Sequence, residues 1–211
     1  MTDHAAGGLE ATHPLLTPFR TVLRILRTPP RWSFHIAVTV PAVALLWSHS
    51  VPGLQFVVWA SAILVLLCFA GVWALRLLLF ALRHRRWDWW FAVAPVAGLL
   101  VAASVYSALP LQVRFAASRP AFDRVISELP PPGGGGFYFL GSRQIGSYRI
   151  DEAHHVHGGV IFSEHNGDVF HNAGFAYLPD GPTPGLANEY DFEAPAWRHL
   201  GGPWYSWTAT W

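Results

Sequence analysis

The chain has no lysine, one cysteine and one methionine, and only 13% of its 211 residues are charged, about half the usual share in a soluble domain. Each shortage excludes something. Cys68, the single cysteine, lies inside an apolar run, so no disulfide can staple the chain internally and no cysteine cluster can hold a metal; it reads as a small apolar filler. All 14 basic residues are arginine, a compositional trait with no functional reading. A net charge of +1 supplies no basic domain surface for nucleic acid. The sequence lacks a G-x-S-x-G elbow, a Walker loop, a dinucleotide fingerprint and an H-E-x-x-H helix, which leaves no cofactor motif and points away from the commonest enzyme signatures. The glycines at 133–136 follow three prolines, so they read as a linker and not as a phosphate cradle.

What charge there is falls unevenly. Before Pro110 stand 8 arginines and 3 acids, and after it 6 arginines and 10 acids. A basic half and a mildly acidic half fit a membrane-inserted part followed by a soluble one. The centre of the first half is residues 54–75, twenty-two residues without a charge, closed by Arg76. At 1.5 Å per residue that run makes about 33 Å of helix, enough to cross a hydrocarbon core of roughly 30 Å.

Three transmembrane helices are expected, at about 32–49, 54–82 and 89–109. The first is short and contains Pro41; a signal peptide competes with it, but over thirty residues precede it and no small-x-small cleavage site follows Leu46. Residues 1–31 form a cytoplasmic segment, in which Arg20, Arg24 and Arg27 recur at helical spacing. This stretch is either an interfacial helix or a basic flank that orients the first span. Four arginines precede span one, four lie between the second span's end and the third, and none lies in 49–53. The positive-inside rule therefore puts the N-terminus and the 83–88 loop in the cytoplasm and everything after Leu111 outside. Trp32, Trp87, Trp89 and Trp90 would belt the inner face and Trp47 the outer. The segment AVAPVAGLLVAAS in span three suits close packing on a neighbouring helix.

The region 111–211 is expected to be an external α+β domain. Phe115, Phe122, Val125, Ile126 and Leu129 fall on one face at helical intervals, with Ser118 as cap before Pro120. From Phe137 onward five strand-like stretches follow, with turns at Gly158-Gly159, Asn166-Gly167 and Pro179-Asp180-Gly181. This predicts an antiparallel meander covered by one amphipathic helix. Tyr205, Trp207 and Trp211 share a strand face by alternation and read as core.

GFAYLPDGP at 174–182, HLGGPWYSW at 199–207 and the RFAxSxxAF-like run from Arg114 to Phe122 together resemble segments of a family of small bacterial multi-span membrane proteins with a C-terminal external domain. The resemblance spans roughly residues 80–211. It implies that architecture and carries no activity with it.

Histidine is the one polar cluster that suggests chemistry. On a strand, His155 and His157 would share a face about 7 Å apart while His154 points away, so a metal site needs a third ligand from His171, Glu164 or Asp168; Zn or Cu would accept such a set. The ordinary alternative is a solvent-facing strand near a turn, or a pH response of the histidines. The carboxylates read as a solvated acidic surface. Transport is disfavoured, because the spans hold His35, His49 and Arg76 only at their ends. The sequence therefore reads as a non-enzymatic envelope protein without assigned catalytic, cofactor or metal residues. Its expected partners are the lipid bilayer and either an envelope protein or a second copy. A metal-binding domain on His155, His157 and His171 is the alternative.

Overall fold

The structure is a computed structural model that describes residues 32–84, 88–129, 137–165, 171–186 and 193–210; the side chains of 83–84, 137–140, 171, 193–194 and 210 lie outside that description. Four helices come first: α1 (Trp32–Ser48), α2 (Phe56–His84), α3 (Trp90–Tyr106) and α4 (Leu109–Glu128). An antiparallel six-stranded sheet follows: β1 (Phe137–Ile145), β2 (Tyr148–Val156), β3 (Gly159–Glu164), β4 (His171–Tyr177), β5 (Glu193–Gly201) and β6 (Trp204–Thr210). The expected basic helix near residue 24, the 133–136 linker and the Asn166-Gly167 turn fall outside the described residues.

Among the described residues one helix is by itself long and apolar enough to cross a membrane: within α2, Phe56–Leu82 is 27 residues long with mean hydropathy 2.5. The other two apolar helices, at 17 residues each, reach about 26 Å. Short length is what separates them from α2. α3 stops where Ala108 turns left-handed (φ 53°) and Pro110 begins the next helix; α3 and α4 together pass as one span bent by 57°. The start of α3 is fixed by Asp88, whose Oδ1 accepts from the Trp90 amide at 3.1 Å, using one of the amides a helix leaves free at its N-terminus.

Aromatic contacts hold the apolar helices together. Phe34 meets Phe69 edge-on at 5.6 Å, Phe80 meets Phe91 at 5.2 Å, and the Trp73 indole donates to the Phe91 carbonyl at 3.1 Å. Trp32, His35 and Trp89 all pack on Trp90. Arg76, expected to reach for the interface, lies over the Phe34 ring at 5.3 Å. That places Arg76, about two turns before the end of α2, level with the first turn of α1.

The soluble-side helix begins earlier than expected. α4 starts at Leu109, so Ser118 is in mid-helix and caps nothing; its hydroxyl bonds the Arg114 carbonyl at 3.0 Å and Ser147 Oγ at 2.9 Å. Pro120 is accommodated inside the helix. The face carrying Leu111, Phe115, Phe122 and Val125 is buried as the periodicity demands, on a core built with Tyr148, Ile150, Ala153, Val160, Phe162, Phe175 and Trp204.

The sheet order is β1-β2-β3-β4-β6-β5, not a simple meander. β5 was not expected as a strand; it takes the edge, and β6 returns between it and β4. Gly174 shows why the GFAY segment has its glycine. A Cβ there would lie 1.8 Å from the Phe162 carbonyl oxygen, and the indole of Trp207 donates to the carbonyls of Phe162 and Phe175 at 3.3 and 3.2 Å beside it. Trp207 and partly buried Tyr205 occupy one face with Val156, Ile161, Leu178 and Leu186, and Trp204 fills the other. The reading of these aromatics as core is correct for Trp207, which is 1% exposed, and in part for Tyr205; Trp211 lies outside the described residues.

Candidate functional site

The histidines expected to gather are dispersed. A bulge between Ile150 and Glu152 resets the alternation of β2, so that Ala153 belongs to the helix-covered core and Val156 to the opposite one. His154 and His155 lie on opposite faces, as expected of neighbours on a strand. His157 is not on the strand at all; it is exposed in the two-residue turn between Val156 and Gly159. His154 is buried and its Nε2 lies 3.2 Å from Glu152 Oε2. His165 Nδ1 lies 2.7 Å from Asp151 Oδ2. Glu164 pairs with Ile150 while His155 pairs with Val160, which puts them at opposite ends of β3. Among the described residues no group of three His, Cys, Asp or Glu side chains is arranged to hold a metal ion; the side chain of His171 and the whole of Asp168 lie outside them.

The polar centre that does form was not anticipated. It is built on Arg114, one turn inside α4, where the helix meets both the β1–β2 turn and the 49–53 connection between α1 and α2. Arg114 Nη1 donates to Ser50 Oγ at 2.9 Å, Nε to Ser147 Oγ at 3.0 Å and Nη2 to the Ser147 carbonyl at 2.6 Å. Its guanidinium lies over the rings of Trp47 and Tyr148, each at 4.5 Å, the planar stacking and forked donation that arginine allows and lysine does not.

Around it the 49–53 connection is inserted into the core of the sheet domain. Val51 is 4% exposed and belongs to the same cluster as Phe115 and Tyr148. The Tyr148 hydroxyl donates to the Ser50 carbonyl at 3.1 Å, and burial pushes its pKa up, with Arg114 opposing and Glu164 adding to the rise, so it remains a neutral donor. Gly146 makes the close approach possible. It sits at φ +60°, and a Cβ there would come within 2.5 Å of Ser118 Cβ, so only glycine lets the β1–β2 turn lie on α4.

Glu164 is a buried carboxylate of the same domain. It ends β3 on the face of Val160 and Phe162, is 8% exposed, and its Oε2 has no hydrogen-bond partner among the described residues. Burial raises its pKa from 4.5 to about 7 even though Arg114 pulls it down.

A second feature is a cleft of about 970 Å³ between α1, α2 and α3. Its walls are apolar apart from a few groups, and its titratable side chains are His35, His49 and Tyr106. Among the described residues no carboxylate or arginine lines it.

A helical half with one membrane-length helix, joined to an antiparallel α+β domain through a half-buried arginine, is the class that this geometry defines. No protein-family model, curated protein or solved structure matches the chain.

Proposed function

We propose that the chain is an integral membrane protein of the bacterial cell envelope with three spans and a cytoplasmic N-terminus. Its sheet domain stands on the external face as a non-enzymatic interaction or accessory module, for another envelope component or for a second copy.

The observation that carries this reading is the burial of the 49–53 connection in the sheet domain. Two parts of a chain can touch in this way only if they lie on the same side of the bilayer. Between Gly53 and the domain the chain passes through α2 and α3, so if α2 crosses, α3 must cross back. This argument favours α3 as a span despite its 17 residues, and a helix of about 26 Å is accommodated by local thinning of the bilayer at modest cost. The arginine-free 49–53 segment then marks the shared side as external. The hydrogen bonds of Arg114 are used to join these parts, which favours a mounting role over a catalytic one.

Thiol labelling in intact cells tests the arrangement. In a Cys68→Ser background, His157→Cys is expected to react with a membrane-impermeant maleimide, and Asp88→Cys only after permeabilisation. A photo-crosslinking residue at position 157 is expected to trap one discrete partner or a dimer. The opposite labelling pattern contradicts the topology, and recovery of monomer alone contradicts the interaction role.

A further inference from the structure

The small residues of α3 open a space where the sequence suggests close packing. Ala94, Gly98 and Ala102, spaced four apart, all line the cleft between α1, α2 and α3. Small residues at that spacing let a neighbouring helix approach, yet a Cβ on Gly98 would meet nothing within 4 Å. The ring contact and hydrogen bond that tie α2 to α3 gather at Phe91, next to the start of α3. At the other end of the cleft, nearer the sheet domain, stand His49, Trp59 and Tyr106. None of these three side chains hydrogen-bonds another described residue, and each carries a donor.

Length, charge and volume together define what fits. The lining runs from Phe34 to Leu46 on α1, from Trp59 to Trp73 on α2 and from Val93 to Tyr106 on α3, about 20 Å along each helix. Half of a hydrocarbon core is roughly 15 Å, so the cleft is longer than one leaflet, whereas a phospholipid chain is tied to the surface by a charged headgroup and ends near the midplane. With no carboxylate or arginine among the described lining residues, nothing in the wall matches a charged occupant. The volume of about 970 Å³ is at the upper end for a small-molecule site, and the apolar wall with a few polar groups at one end is the usual makeup of one. The occupant is therefore long, uncharged and furnished with acceptors at one end. An isoprenoid quinone has all three properties: an extended apolar chain and a neutral head with two carbonyl oxygens.

We propose that the cleft binds one isoprenoid quinone, its chain along the Ala94, Gly98 and Ala102 face and its head at His49, Trp59 and Tyr106. The inference rests on the reading of α1, α2 and α3 as bilayer helices. It adds to that reading a ligand site whose mouth adjoins the 49–53 connection, the segment on which the sheet domain is mounted.

Photolabelling of the full chain in phospholipid nanodiscs tests the site, with a ubiquinone carrying a diazirine on its isoprenoid chain and the adducts mapped by mass spectrometry. Saturable labelling of lining residues such as Ala42, Ile63 and Val101, removed by unlabelled ubiquinone, is expected. Gly98→Leu is expected to reduce it roughly tenfold or more by filling the cleft, and Leu99→Phe, on a side chain that is 71% exposed, to leave it unchanged. His49→Leu is expected to weaken the competition about three- to tenfold through loss of a donor. Competition in the wild-type chain keeps the test decisive if Gly98→Leu folds poorly. Labelling spread over the outward residues Val40, Val57 and Leu64 and not removed by ubiquinone would show bulk lipid contact only and overturn the site while sparing the membrane reading. Equal labelling of the lining by a diazirine phospholipid would overturn the choice of ligand, and no labelling of any helix would overturn the site together with the membrane reading.

Discussion

Replacing Phe122 by alanine is expected to lower the stability of the sheet domain by about 3–5 kcal/mol. The ring is fully buried and lies within 5.2 to 6.2 Å, centroid to centroid, of five others, those of Phe115, Tyr148, Phe162, Phe175 and Trp204. Those rings come from α4 and from four different strands of the sheet, so they cannot close together over the gap by moving one element. A domain of this size has about 5–15 kcal/mol in total, and the loss takes most of it at the lower end. Limited proteolysis and near-ultraviolet circular dichroism should show the sheet domain opening while the apolar helices stay together, because they have contacts of their own, Phe34–Phe69 and Phe80–Phe91. An unfolding midpoint equal to that of the wild-type chain would contradict the packing.

Glu164→Gln is expected to act in the opposite direction. The carboxyl of the folded chain titrates near 7 in place of 4.5. Between these values the folded state holds a proton that the unfolded state has released, so stability falls as pH rises through this window and is constant above it. The full difference corresponds to about 3 kcal/mol. Glutamine has the same shape and no charge to lose. Its variant should match the wild-type chain near pH 4 and exceed it by up to about 3 kcal/mol near pH 8, read as a thermal midpoint that no longer drops across that range. A wild-type midpoint that rises with pH between 5 and 7 would reverse the assignment.

How much of this was legible in the sequence depends on the range of the interactions. α2 needed only local composition, since twenty-two uncharged residues can satisfy their backbone in lipid only as a helix. The buried face of α4 and the inward tryptophans of β6 follow from periods of 3.6 and 2. β5 was missed because Pro195, Arg198 and His199 read as loop, and they are the residues an edge strand tolerates and uses to discourage further pairing. Ser118 looked like a cap because Pro120 follows it, whereas α4 begins nine residues earlier at the left-handed Ala108. The histidine pattern failed for a different reason: β2 ends at Val156, so His157 falls in the turn and shares no strand face with His155.

The arginine centre was the least legible. Its partners stand at positions 47, 50, 147 and 148, up to 67 residues away in the chain. Two weak signals did exist. The connection SHSVPG is short, uncharged and carries a valine that has no reason to face water. Arg114 is a lone charge on the turn that begins an otherwise apolar helix face.

The central claim is that the sheet domain is mounted on the apolar helices through the buried connection and does not hang from α4 alone. Spin labels at His157→Cys and Val57→Cys, in a Cys68→Ser background, measure this directly, because His157 is an exposed turn residue of the domain and Val57 is 71% exposed near the start of α2. A mounted domain predicts one narrow distance distribution in lipid nanodiscs. A broad distribution would contradict it, and would mean that the contacts of Arg114, Ser50 and Tyr148 do not hold the two halves together.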